Sequence, residues 1–238
     1  MADADPCILQ CSIHNNGMDS DLIVEPRAGG NLDIARALAT PIKELKASER
    51  SLFLGHLIEL NAEDRYLRFG SPLSDSAIGA YVGGIDFRSH TVFGVFDDSL
   101  KLVAAGHFAP MPVSNLPRET SHPSAEFGLS VNAVARGQGL GTALFLRAAS
   151  HARNLGIETL FMHCLTQNRP MMRIAKKAGM EIHHASGEAD AYLALEPGDA
   201  ASAFVEAVQR RIAIFDFAVK RQVLAAKAAI KKIVPTAA

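Results

Sequence analysis

The run Arg136-Gly137-Gln138-Gly139-Leu140-Gly141-Thr142 constrains this chain more than any other stretch, because strand-forming residues lead into it and a helical pattern leaves it. Glycines there let the backbone approach a ligand closely, while the first-turn amides of the helix point outward with no intrahelical partner. Such a turn attracts an anion. A pyrophosphate suits it, since the helix dipole places about half a positive charge at that end and Arg136 adds a full one.

Glycine spacing alone leaves three other readings. A dinucleotide fingerprint needs G-x-G-x-x-G after the first strand of a βαβ unit, whereas Gly137, Gly139 and Gly141 alternate and follow several antiparallel strand candidates. A P-loop ends in Gly-Lys-Ser/Thr, and here Leu140-Gly141-Thr142 follows Gly139. The third reading is a turn that holds nothing, against which the flanking arginine and the helix start both weigh.

The rest of the chain supplies the setting. Residues 1–40 carry short apolar pieces without a sustained period and read as an N-terminal attachment, strand or loop. Ile42, Leu45, Leu52, Leu57 and Ile58 predict a helix over 42–60, and Asn61 opens a second one carrying Arg65-Tyr66-Leu67-Arg68-Phe69. Ile78, Tyr81 and Val82 mark a third, before Gly83-Gly84. Residues 91–96 and 102–108 flank Asp97-Asp98-Ser99 as an antiparallel hairpin, and 125–131 reads as the next strand. After the glycine-rich turn come a helix stopped by Gly156, a strand over 157–165, and a helix capped by Asn168 and ended by Gly179. Two last strands, 180–184 and 191–195, are joined through Gly187-Glu188.

Arg136-x-x-Gly139-x-Gly141, followed by that helix, that strand and Asn168, resembles the Q/R-x-x-G-x-G/A signature of the GNAT N-acetyltransferase superfamily. Within it the chain is most similar to the bacterial protein-lysine acetyltransferase-like subgroup, through Arg65-Tyr66-Leu67-Arg68-Phe69, Asn168-Arg169-Pro170-Met171 and Ala175-Lys176-Lys177-Ala178-Gly179-Met180. The similarity runs through residues 41–196 and is strongest over 125–180. It implies an α/β (α+β) fold: a mixed, mostly antiparallel sheet flanked by helices, with a splayed central strand pair. It also implies acetyl-CoA as cosubstrate and a primary amine, on a protein lysine or a small molecule, as acceptor. Arg136 and the amides of Gly137, Gln138, Gly139, Leu140, Gly141 and Thr142 would hold the pyrophosphate. Leu129, Ser130 and Val131 would pair their main chain with the pantetheine arm, and Asn168 would contact the coenzyme as well as cap its helix.

Acetyl transfer to an amine needs a proton acceptor and a hydrogen-bond donor for the thioester oxygen. Glu126 is the expected base, because related lysine acetyltransferases carry a glutamate there and an ionised carboxylate within a strand requires a reason. The tyrosine that often meets the leaving thiolate in this family is Ala175 here, which leaves Tyr81, Tyr192 and Ser130 as candidate substitutes and a binding module with little turnover as the competing reading. His107 and His163 read as satisfied sheet histidines, and Cys164 as a core-facing thiol.

Composition narrows the classes further. Cys7, Cys11 and Cys164 are too few for a disulfide framework, and Cys7 and Cys11 lack a second ligand pair. His183-His184, adjacent on a strand, point to opposite faces, so no metal is expected. A net charge of -1 with mixed signs argues against nucleic acid, and the absence of a signal-like start points to a cytoplasmic protein. Beyond a domain at 41–197, residues 198–238 form an extension. There Phe204, Val208, Ile212, Phe215, Val219, Val223, Ala226, Ile230 and Ile233 predict one long amphipathic helix, expected to lay its apolar stripe across the enzyme or a second subunit as a possible homodimer. Its basic residues invite a membrane, but Glu206 and Asp216 interrupt them, so no membrane partner is expected.

Overall fold

The structure, a computed structural model, describes residues 39–111 and 122–233; the sequence reading of residues 1–38 lies outside this range. Alternating burial creates the sheet. In β2 (Thr91–Phe96), Phe93 and Val95 enter one apolar core, while Val92 and Phe96 enter another on the opposite face. β3 (Leu102–Pro110) is buried along nearly its whole length, because it lies near the middle of the sheet and is covered on both faces. The hairpin between them closes as its turn residues predict, with the Asp97 carboxylate accepting from the backbone amides of Ser99 and Lys101 at 2.8 and 2.9 Å.

Among the described residues, seven strands form one sheet in the order β1-β2-β3-β4-β5-β7-β6. Besides β2 and β3 these are β1 (Lys43–Glu44), β4 (Ser124–Val131), β5 (Thr159–Leu165), β6 (Glu181–Ala185) and β7 (Glu188–Ala194). Every neighbouring pair is antiparallel except β4 and β5. α1 (Arg50–Ile58) and α3 (Asp75–Gly83) cover one face, where Phe53, Leu57, Ile78 and Val82 are excluded from solvent. α4 (Leu140–Asn154) and α5 (Arg169–Lys177) cover the other. Each such large side chain contributes about 1.5–3 kcal/mol on burial, so the two cores hold the sheet between its helices.

The sequence expectation of a helix over 42–60 holds only from Arg50. Ile42 and Leu45 are buried, but the residues between them form an edge strand, with Lys43 opposite Gly94 and Glu44 opposite Phe93. Pairing with an open sheet edge overrides a three-residue apolar spacing that fits a helix equally well. α2 (Ala62–Phe69) begins at its cap, where Asn61 Oδ1 accepts from the Asp64 amide at 2.8 Å, and ends at Gly70 in the left-handed region.

The terminal helix α6 (Ala200–Ile233) docks in a way its periodicity does not predict. Its contact with the domain uses Glu206, Ala213, Phe217 and Lys220, while Phe204, Val208, Ile212 and Phe215 face solvent. The anchor is a buried polar network. On α4, Arg147 Nη2 donates to Glu44 Oε1 at 2.7 Å, and His151 Nδ1–H donates to Glu206 Oε1 at 2.6 Å. Arg147 Nη1 lies 2.7 Å from Glu206 Oε1, a charge contact without hydrogen-bond alignment. Asn154 donates to the second Glu206 oxygen. Glu44, His151 and Glu206 bring possible metal-ligand atoms within 4.8 Å of one another, but the Arg147 guanidinium already supplies the cation among them.

Burial pushes the Glu206 carboxyl up, yet the hydrogen bonds from His151 and Asn154 and the charge of Arg147 outweigh this and hold it well below the usual carboxylate range. A carboxylate depressed on folding adds stability above its unfolded pKa and loses it as pH falls. Glu206→Gln is therefore expected to destabilise the domain by roughly 2–4 kcal/mol at pH 7, leaving the buried Arg147 under-compensated. Urea unfolding at pH 7 and at pH 4 checks this: the gap between variant and parent should narrow in acid.

Candidate active site

The site opens where β4 and β5 part. Their parallel pairing runs through Ser124 with Thr159, Ala125 with Leu160 and Glu126 with Phe161. Beyond Glu126, β4 pairs only with β3, and β5 only with β7, among the described residues. The edge of β4 from Phe127 to Val131 thus faces a widening gap with main-chain groups that no strand pairs there among the described residues, which an extended amide-containing ligand can pair as an added strand. Leu129, Ser130 and Val131 all lie on that edge.

At the mouth of the gap stands the glycine-rich turn. Gly137 and Gly139 have φ of 75° and 79°, in the left-handed region where side-chain-bearing residues are strained. Gly139 is the N-cap of α4 and offers no side chain to the first-turn amides of Leu140, Gly141 and Thr142, and that turn carries no acid. These donors and the dipole remain for an anion. A Cβ on Gly141 would come 3.1 Å from Ile174, so the residue's smallness also seats α4 against α5. Arg136 is at the turn, but its charge is shared: its guanidinium pairs with Asp64 on α2, and its Nε donates to Val131 O at 3.3 Å.

Asn168 is buried, with both ends of its amide engaged. Oδ1 accepts from the Met171 amide at 3.2 Å, and Nδ2 donates to Leu67 O at 3.1 Å, tying α5 to α2. Ala175, on α5, is buried in the core. Ser130 Oγ lies 2.8 Å from His56 Nε2, and His56 Nδ1 lies 3.0 Å from Leu102 O. Since that carbonyl only accepts, Nδ1 carries the ring proton and Ser130 donates to Nε2. The Ser130 proton is therefore committed away from the gap. Cys164 is buried near Met172, and burial pushes its thiol up to about 11, which leaves it a core residue.

Glu126, the last paired residue before the strands separate, sits with Arg68, Tyr81, His107 and Gly128 around a small cavity. No hydrogen bond reaches its carboxylate among the described residues. Burial raises its pKa; Arg68 and His163 oppose that rise, and Asp190 adds to it. A desolvated carboxylate poised upward in this way is a competent proton acceptor near neutral pH.

A hydrogen-bonded chain backs the cavity, made by residues far apart in sequence. Arg68 Nη2 donates to Tyr81 Oη at 3.3 Å, Tyr81 lies 2.7 Å from His107 Nδ1, and His107 Nε2 lies 3.0 Å from His90 Nδ1. Burial, then the charges of Arg68 and His90, push His107 down to about 3, so it stays neutral and accepts the Tyr81 proton. Burial raises the Tyr81 pKa, keeping the phenol protonated. The sequence offered Tyr81 only as a substitute acid and placed Arg68 only in a motif; the spacing of neither announces that they meet Glu126.

Arg68 lies flat over Gly128, where an added Cβ would come 2.5 Å from Nη2. Gly128→Ala is therefore expected to push the guanidinium aside and lower kcat about tenfold, while acetyl-CoA affinity and melting temperature stay near the parent's, because a flexible side-chain end gives way cheaply. Steady-state kinetics beside a melting curve checks it.

The acetyltransferase (GNAT) family model matches residues 57–180, more than half of the chain, including Arg68, Tyr81, His107, Glu126, the turn at 136–142 and Asn168. The protein belongs to the GNAT acetyltransferase family. Its fold is shared with the GNAT domain of S. lividans PAT, with TM-score 0.54 and 19% identity over 65% of this chain and 89% of that one. A putative acetyltransferase from Acinetobacter baylyi superposes with TM-score 0.53 at 14% identity, covering 66% of this chain and 93% of that chain. A Vibrio cholerae spermidine N-acetyltransferase, solved with CoA and spermine, gives TM-score 0.50 at 16% identity, covering 64% and 94%. No curated protein sequence matches the chain. As a member of this family, the protein is an acetyl-CoA-dependent N-acetyltransferase that acts on amines.

Proposed function

We propose that this enzyme transfers the acetyl group of acetyl-CoA directly to the primary amine of a protein lysine or a small molecule, with Glu126 as the base. The observation that carries the reading is the position of Glu126: half-buried and desolvated, free of hydrogen bonds among the described residues, and at the residue where β4 and β5 begin to diverge. Glu126 takes a proton from the incoming ammonium, directly or through one water. The amine lone pair then attacks the thioester carbon, a β4 main-chain amide receives the developing oxyanion, and as the carbon–sulfur bond breaks to release the thiolate the nitrogen gives its second proton to solvent, leaving a neutral amide.

The turn at residues 136–142 fits the pyrophosphate through free amides, the helix dipole and absence of acid. The thiolate leaves without the tyrosine frequent in this family, since Ala175 is buried at that place; a thiol of pKa about 8.5 is a tolerable leaving group without an acid. Ala175 also supports a second reading, a coenzyme-binding module with little turnover. Thiol release from acetyl-CoA with a broad panel of lysine peptides and small amines separates the two. Turnover on any of them supports the transferase, and tight acetyl-CoA binding without release on the whole panel overturns it.

A further inference from the structure

Of the large apolar side chains exposed on the described residues, most lie on α6, and six of them form one band, with Ile214 off to one side. Phe204, Val208, Ile212, Phe215, Val219 and Val223 recur four, four, three, four and four residues apart, with Phe204 and Phe215 exposed by 70% and 72%. The domain does not need this band, because α6 is anchored through its other side by Glu206, Ala213, Phe217 and Lys220.

The two acids of α6 are spent on that anchor. Glu206 is buried against Arg147 and His151, and Asp216 is half-buried and paired with Lys220 at 2.9 Å. They interrupt the basic pattern in sequence but not on the outward surface. Seven of the chain's 24 Lys and Arg residues lie on this helix, against two of its 25 Asp and Glu. Arg211, Arg221 and Lys227 make no ion pair among the described residues. What remains exposed on α6 is mainly apolar and cationic, with Gln222 a neutral polar exception, on a helix roughly 50 Å long at about 1.5 Å per residue.

We infer that α6 is a membrane-surface helix that seats the enzyme on an anionic bilayer, independently of the reaction proposed above. The apolar band enters the boundary between headgroups and acyl chains, and the basic residues beside and behind it meet the lipid phosphates. A second copy of the chain suits the band less well. The four-four-three spacing also fits a right-handed two-helix seam, but such a pairing would set the uncompensated cations of one α6 against those of another, whereas an anionic surface complements them. No helix among the described residues is long and apolar enough to cross a membrane, so attachment is peripheral.

The full chain is sedimented with vesicles of phosphatidylglycerol and phosphatidylcholine, and with phosphatidylcholine alone. Expected is a bound fraction at least about fivefold greater on the anionic vesicles, falling as salt rises. The double variant Ile212→Glu/Phe215→Glu, at two exposed positions, should stay in the supernatant while binding acetyl-CoA like the parent. A parent chain that ignores anionic vesicles overturns the inference whether or not the variant folds. So does equal pelleting of a folded double variant. Light scattering that shows a dimer dissolved by the double variant, with no vesicle binding by the parent, assigns the band to a second copy instead.

Discussion

Gly139→Asp is expected to weaken acetyl-CoA binding by at least about 100-fold, or roughly 2.7 kcal/mol, while leaving the domain folded. Two effects act together. Position 139 sits at φ 79°, a left-handed conformation that strains most side chains and that aspartate adopts more readily than most. The fold therefore survives, and a Cβ there meets nothing within 4 Å. The new carboxylate, however, places a negative charge beside the first-turn amides that a pyrophosphate needs, and so against the pyrophosphate itself. Titration calorimetry measures the loss, and circular dichroism confirms the helix. Unchanged affinity would remove the glycine-rich turn from the coenzyme site and with it the central claim about residues 136–142.

That this turn was legible in sequence, and much else was not, follows from distance along the chain. The features of the turn are local: glycines at positive φ, a helix start without a side-chain cap, and no acid in the first turn are all written within a few residues. Caps were legible for the same reason, as at Asn61 and Asn168. Residues 42–45 were misread because a three-residue apolar spacing cannot distinguish a helix from an edge strand, and only the partner strand decides. On α6, periodicity announced an apolar face but not its direction. The direction is set by Glu206, whose partners Arg147 and His151 sit on a helix 55 and more residues earlier, among positions that read as an ordinary apolar face of α4. The cavity around Glu126 is likewise assembled from α2, α3, β3 and β4, so no single window of sequence contains it. Glu126 itself was reached through family resemblance, and its burial and lack of hydrogen-bond partners are what the fold adds.

Glu126→Gln is expected to lower kcat by about 100- to 1,000-fold with acetyl-CoA affinity unchanged, because the amide keeps the shape of the side chain but cannot take a proton. The two readouts separate the proposed role from a structural one: a residue that merely packs the cavity would disturb binding or stability along with turnover. pH adds a third. Burial raises the Glu126 pKa, and the base works only when ionised, so the acidic limb of the parent's rate profile should lie above the ordinary glutamate range and climb as the carboxyl deprotonates. The variant should lack that limb and follow the ionisation of the amine alone. Arg68 opposes the rise, so Arg68→Gln should move the limb upward; a limb that stays in place would mean that Glu126 is not the group being titrated. Normal turnover in Glu126→Gln would acquit Glu126 and leave the neutral amine to arise in solvent. The coenzyme turn would stand unaffected, because Gly139 and Glu126 act on different parts of acetyl-CoA and their variants fail in different measurements.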